Sequence, residues 1–451
     1  MTVVPKNSWH KAGARVQPAV MDNTVKICPP KGNVSWGVVM LTEILLLLVF
    51  LDPTGDPTLM LNPGVRVAGQ AIRSAIIPVL ILLMVFSLCA VAGRVWLNST
   101  AQTALSLTLL VLAGGLLQGL VENEPANVWR EFLATVPLAC IPLFLRFDQR
   151  QAQRLATYIS TTLVVVCTIK VVIGQYAQLQ VYGGLSWKLL LRQSPLLLFP
   201  YTFLLASYLS GVRSRRNALL LLLATTGMLV AQARALHVAA AVVTFLMFWK
   251  FATIRKAIGF TALLALAAMM MTLLSDNKMS DFWGRWSGEA YQMNVDYRVE
   301  QAAVLMERLH ERPLRGFGFG YYTPGYESYE ELAIPQILEL DLINFATKTG
   351  LVLFALYLAS YCIYGMAFAR LRFPDRQTEL LAMAYGMVIL GLLIYSLFQT
   401  FHASIMFWLF YALAVAFLFG RKDGASRREP LGARQRPDEP ADDAARRGQI
   451  S

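Results

Sequence analysis

Arginines and carboxylates set into apolar sequence are the residues whose types and spacing could do chemistry here. Arg234 lies in the run Ala-Gln-Ala-Arg-Ala-Leu-His, between apolar blocks at 218–232 and 236–249, with three residues left for a turn. A cation at the bilayer edge is costly unless it is paired. Its planar fork of donors suits a phosphate. A snorkelling or topology arginine is the plainer role, and His237, one turn later, reads first as a polar contact between helices. Further along, Asp341, Asn344 and Lys348 stand at i, i+3 and i+7. They share one helix face and form a polar stripe descending into the membrane, with an Asp341–Lys348 ion pair as the structural alternative. Lys170, followed by Gln175, and Glu43 in the first apolar block are two more polar sites in apolar surroundings.

Between Arg234 and Asp341 lies a longer polar segment. It carries Asp296-Tyr297-Arg298, then Val304, Leu305, Met306 and Leu309 at helical spacing. That pattern predicts an amphipathic helix over about 297–311, lying along a membrane surface. The run Arg312-Pro313-Leu314-Arg315-Gly316-Phe317-Gly318-Phe319-Gly320 follows. Proline stops the helix, and the alternate glycines allow a tight turn or a close backbone approach to a ligand. The run follows no strand and opens no helix, so it is not a nucleotide-binding fingerprint.

The elements that must position these residues are membrane helices. The 451-residue chain is 56% hydrophobic and 15% charged, against about a quarter charged in soluble proteins. Its apolar residues come in long blocks, so lipid is the main solvent. The net charge of +12 sits in short clusters between those blocks, which reads as topology signals and excludes nucleic acid as a partner. Four of the five cysteines (Cys28, Cys89, Cys140, Cys167, Cys362) fall inside apolar blocks, so neither a disulfide framework nor a metal site is predicted.

Residues 1–34 are polar and basic and form a cytoplasmic N-terminal segment. The first block, 36–51, holds Glu43 and lacks a cleavage site, so it reads as a retained helix. Further blocks at 75–93, 103–121, 132–147, 158–176, 195–211, 218–232, 236–249, 257–275, 342–364, 379–398 and 404–420 bring the expected spans to twelve. Alternating from a cytoplasmic start puts five clusters inside: Arg146/Arg150/Arg154, Arg213/Arg215/Arg216, Lys250/Arg255/Lys256, Arg370/Arg372/Arg376 and Arg421/Lys422/Arg427/Arg428. Each obeys the positive-inside rule. The expected fold is therefore an all-α membrane protein of about 12 transmembrane helices over 35–420. It has one long periplasmic segment, about 276–341, containing short amphipathic helices. Both termini are cytoplasmic, and a charged tail over 421–451 has the composition of a disordered segment. No internal repeat is visible, which counts against a transporter built from repeats.

On these residues the chain resembles the O-antigen ligase and O-antigen polymerase superfamily of bacterial membrane glycosyltransferases. Three features match in order: Arg234 at an outward turn between central helices, Arg298 followed by the Pro-Leu-x-Gly-x-Gly pattern at Pro313, Leu314, Gly316 and Gly318, and a polar motif about a dozen residues before Gly350. Ligases of the family carry a histidine eleven residues before that glycine. Glu339 stands there in this chain, with Leu340 as its neighbour, and this departure favours polymerase over ligase.

The resemblance implies transfer of an undecaprenyl-diphosphate-linked glycan to a sugar hydroxyl on the periplasmic face of the inner membrane, with inversion and with no metal or other cofactor. Membrane lipid and a chain-length regulator are the implied partners. Arg234 and Arg298, with Lys170, would hold the diphosphate, whose developing charge needs cations. Glu339 or Asp341 would take the acceptor's proton. Tyr297, Gly316, Gly318, Tyr321 and Tyr322 would line the glycan path. Two other readings stand beside it: a ligase transferring glycan to lipid A core, and a lipid-linked oligosaccharide flippase, which would need polar groups in both leaflets rather than on one side.

Overall fold

A computed structural model describes residues 35–51, 63–91, 95–180, 194–211, 214–231, 234–273, 289–322, 340–371, 376–397 and 405–422. In chain order its helices are α1 Trp36–Leu51, α2 Pro63–Val91, α3 Ser99–Glu122, α4 Pro125–Leu133, α5 Ile141–Phe144, α6 Gln149–Gln180, α7 Leu198–Ser210, α8 Arg215–Ala231, α9 Arg234–Phe251, α10 Ile254–Leu273, α11 Glu289–Glu311, α12 Asp341–Ala369, α13 Arg376–Ser396 and α14 Ile405–Phe419. Two three-residue strands, β1 Val95–Leu97 and β2 Gly420–Lys422, pair antiparallel.

Among the described residues, six helical segments are long and apolar enough to cross a membrane: Gly69–Ala90, Ser99–Glu122, Arg150–Ile169, Arg234–Phe251, Asp341–Ala369 and Thr378–Ser396. Helices α1, α7 and α14 are apolar but shorter. Apolar side chains also stand bare on the outside, Leu88 at 71% exposure and Val121 at 84%, a surface that lipid solvates and water does not. The chain is a multi-pass membrane protein, almost wholly helical over the described residues.

The block at 132–147, expected as one span, is not a continuous helix. After α4 it runs through a 3-10 turn, Val136–Cys140, into the four residues of α5. Pro137 and Pro142 each remove a backbone donor there and break the regular ladder. Each of the other blocks carries a helix. The amphipathic helix expected at 297–311 is longer, Glu289–Glu311, and buries Gln301, Leu305 and Leu309 on one face against α12.

Helix α14 is the central element. Its residues from Met406 through Ala416 are all buried, as expected of a helix apolar on every side. Small residues set the closest packing. A Cβ on Gly114 would lie 2.7 Å from Leu353, so α3 and α12 approach more nearly than larger residues allow.

The ends of the elements segregate. At one end Arg146 donates to the Ala90 carbonyl at 2.5 Å, Asn98 N to the Phe419 carbonyl at 2.9 Å, and Tyr208 to the Lys256 carbonyl at 3.2 Å. Lys250 pairs with Glu379 at 2.8 Å, and Arg216 reaches Thr161 of α6 at 3.1 Å. The ribbon β1–β2 lies at this end too. The far ends of α3 and α12 meet α4 and the glycine run at the other.

Glu43, one of the isolated polar groups in the sequence, has its partner on α6. The Arg154 guanidinium donates twice to its carboxylate, at 3.0 and 3.2 Å, and lies 4.9 Å from the Trp36 ring. Glu43 is 8% exposed and Arg154 51%, so Arg154→Ala strands a carboxylate the bundle has dried. The expected loss is about 2 kcal/mol, below the roughly 3–5 of a sealed pair because half of the arginine is exposed. Thermal unfolding in detergent checks it, with the Glu43→Gln, Arg154→Ala double variant recovering most of the loss.

Candidate functional site

The glycine run and α12 make one structure. Helix α12 is two helices joined at Gly350, which has φ 75° and ψ 163°. The join is a fold-back. Phe345 and Tyr357, twelve residues apart, have ring centroids 4.7 Å from each other, whereas a straight helix would separate their backbones by about 18 Å. Residues 341–349 therefore return alongside the start of 351–369. A 29-residue straight helix would be about 43 Å long against a hydrocarbon layer of about 30 Å, and the 19 residues after the fold span about 28 Å.

Carbonyls freed by the fold are taken by the glycine run. Phe317 N donates to Thr347 O at 3.1 Å and Gly318 N to Lys348 O at 2.8 Å, while Leu351 N donates to Pro313 O at 2.7 Å. On its other side the run meets α3, with Phe319 N on Gly115 O at 2.9 Å. Gln118 donates to Gly316 O at 2.5 Å, and the Asn123 amide to Phe317 O at 2.7 Å and Phe319 O at 2.9 Å. Residues 313–320 form a strap threaded between α3 and α12. Gly318, with φ 80°, has no room for a side chain, since a Cβ would lie 2.4 Å from Gly119 N. Thus Gly316 and Gly318, expected along a glycan path, are buried and packed backbone to backbone.

Charged groups gather around the strap. Lys348 pairs with Glu131 of α4, so its partner comes from another helix and not from Asp341 in its own stripe. The other Glu131 oxygen accepts from Gly320 N at 3.0 Å. Arg312 bonds Glu122, with Arg315 3.7 Å from the same carboxylate. Arg312 also lies 4.7 Å over the Phe317 ring, which stacks on Tyr321 at 4.2 Å. Tyr322 sits beside Lys348, whose ammonium is 5.9 Å from its ring. Burial pushes the Tyr322 phenol above its ordinary range, the Glu131 carboxylate adds to that, and Arg130 opposes both. The Tyr321 phenol is also raised, chiefly by burial. Both hydroxyls are donors at neutral pH.

Asp341 is 4% exposed at the first position of α12, and the fold-back brings its carboxylate within electrostatic reach of the Tyr357 and Tyr361 phenols, which bond each other at 2.9 Å. Arg298 is half-buried on the face of α11 that carries Gln301, Leu305 and Leu309. That face packs on the folded-back segment, where Thr347 donates to Leu305 O at 3.3 Å and Leu305 clusters with Leu340. Arg234 opens α9 and is half-buried. His237 contacts the Met228 carbonyl at 3.0 Å across the α8–α9 turn, as its plainer reading had it. Glu339 lies outside the described residues, as do the side chains of Lys170 in α6 and Tyr297 in α11.

Sequence reasoning missed Glu131, Asn123, Gln118 and Glu122. Their block, 118–131, read as the end of a span and a short loop. Its one signal was the pair Arg130-Glu131 beside apolar sequence. Compared with known proteins, the chain matches no family model, and no curated protein matches it.

Gly318→Ala is expected to cost about 3 kcal/mol or more, through both the positive φ and the overlap with Gly119. Leu314→Ala, at a side chain 69% exposed, is expected to change stability by less than about 0.5 kcal/mol. Thermal unfolding of the two variants side by side checks the contrast.

Proposed function

We propose that the chain is an inner-membrane glycosyltransferase that polymerises undecaprenyl-diphosphate-linked oligosaccharide repeats of an exopolysaccharide or O-antigen on the periplasmic face. The observation that carries this reading is the buried Asp341 carboxylate at the head of a folded-back helix, with the Arg298-bearing face of α11 packed on that same segment. A base and a cation on neighbouring elements at one end of a membrane bundle suit transfer of a charged, lipid-borne donor.

Sidedness supports the same reading. The end that holds Arg146, Arg154, Arg216, Lys250 and Lys256 carries the basic clusters, which the positive-inside rule assigns to the cytoplasm. In this reading the strap lies toward the periplasmic side, and the buried Asp341 is approached from there. An acceptor hydroxyl attacks the anomeric carbon, its proton passes to Asp341 or Glu339, and the glycosyl–oxygen bond to the diphosphate breaks. The leaving undecaprenyl diphosphate carries the electron pair and is stabilised by Arg298 and Arg234. Tyr321 and Tyr322, both half-buried with protonated hydroxyls, are suited to glycan contact.

Deleting the gene and examining surface glycans tests the class. Single repeats without long chains support a polymerase. Normal chains left on the carrier lipid identify a ligase instead, and unchanged glycans reject both. Among point variants, Arg298→Ala and Arg234→Ala are expected to lower transfer about 100-fold or more each. Asp341→Asn and Glu339→Gln, assayed separately with purified lipid-linked repeats, identify the base as the one whose loss abolishes turnover.

A further inference from the structure

The strap is fixed without its ion pair. Backbone bonds from Phe317, Gly318, Phe319 and Leu351, with the amides of Gln118 and Asn123, already hold it between α3 and α12. Yet Lys348, only 8% exposed, is buried at that junction against Glu131. For a structural tie alone such a burial is close to break-even, because desolvating both charges consumes what their attraction returns.

The carboxylate is held as a bound anion would be. One Glu131 oxygen meets the Lys348 ammonium and the other accepts the Gly320 N–H at 3.0 Å, with the Tyr322 ring 5.9 Å from the ammonium. An ammonium beside a backbone N–H of a positive-φ glycine is a donor set that receives phosphate oxygens. Gly320 has φ 78°. We propose that Lys348 and the Gly320 N–H form a diphosphate site, and that the Glu131 carboxylate occupies it as an internal stand-in until a diphosphate displaces it.

A diphosphate brings at least two negative charges against one and can engage ammonium donors that a single carboxylate oxygen leaves over. The site rests on the preceding functional reading only for the source of its ligand, a lipid-linked diphosphate. Free inorganic pyrophosphate presents the same chemistry without the lipid.

The protein in nanodiscs, with lysines labelled at 15Nζ, is titrated with inorganic pyrophosphate and, separately, with undecaprenyl diphosphate. The Lys348 resonance, assigned by its loss in Lys348→Gln, is expected to shift with added diphosphate. Binding is expected to tighten about tenfold in Glu131→Gln, a difference of about 1.4 kcal/mol, and to persist in Lys348→Arg. Tighter binding of the lipid form identifies the lipid donor as the ligand, and equal binding identifies the free anion; either supports the site. A wild-type Lys348 signal that does not move at saturating ligand overturns the proposal, as does a folded Glu131→Gln that binds no more tightly than wild type. The titration reads binding alone; in a separate assay supplied with lipid-linked donor and acceptor, diphosphate binding without glycan transfer rejects the polymerase reading and keeps the site, while transfer without a Lys348 response in the titration rejects the site alone.

Discussion

Much of the strap end of this protein depends on one backbone conformation, the positive φ of Gly350. Folding α12 there releases the carbonyls of Thr347 and Lys348, two buried residues whose backbone water does not reach. Irregular backbone survives inside a membrane only where protein completes its hydrogen bonds. The strap supplies those donors, and in turn needs glycines so that its own backbone can lie against α3 and α12. Two features that look independent in the sequence, a glycine run and a glycine within an apolar block, are the two halves of one hydrogen-bonded joint.

The opposite end has its own set of ties. There the connections are ion pairs, cation–π contacts and a two-stranded ribbon joining the chain near 95–97 to 420–422. In these ties a long cationic side chain can keep its head solvated while its stem covers apolar surface, as Arg154 does at 51% exposure. Both ends combine backbone bonds with charge pairs, but only at the strap end do backbone donors complete carbonyls freed by a fold in a helix, with Lys348–Glu131 and Arg312–Glu122 beside them.

How much of this was legible in the sequence differs by element. Helices such as α3, α9 and α13 were legible because a long apolar run has few other fates in lipid. The block at 132–147 was misread because composition alone outweighed Pro137 and Pro142, which break its ladder. Arg298 was legible as a residue of interest, but its place on the helix face that carries Gln301, Leu305 and Leu309 emerged only from the packing of α11. Lys348 illustrates what spacing cannot reveal. Its stripe with Asp341 assumed an unbroken helix and suggested a partner within it, whereas Glu131 comes from 217 positions away in the chain. Gly350 is the reason: a residue capable of positive φ changes which groups are neighbours, and its identity alone does not say whether it will.

The fold-back also bears on how polar groups can stand at membrane depth at all. Were α12 straight, Asp341 would project about 13 Å beyond Gly350 into water or headgroups, as an ordinary exposed carboxylate. Doubling back buries it instead, within electrostatic reach of the Tyr357–Tyr361 hydroxyl pair. The same turn presents Lys348 to α4 rather than to lipid. Ionisable groups are thereby brought together below the surface without a polar helix having to cross the membrane. Because the strap reaches α3, α4 and α12 at once, a displacement at Lys348 or Glu131 bears directly on the segment that ends in Asp341. Charge binding at one and proton transfer at the other would share a single short piece of helix, nine residues long before the fold.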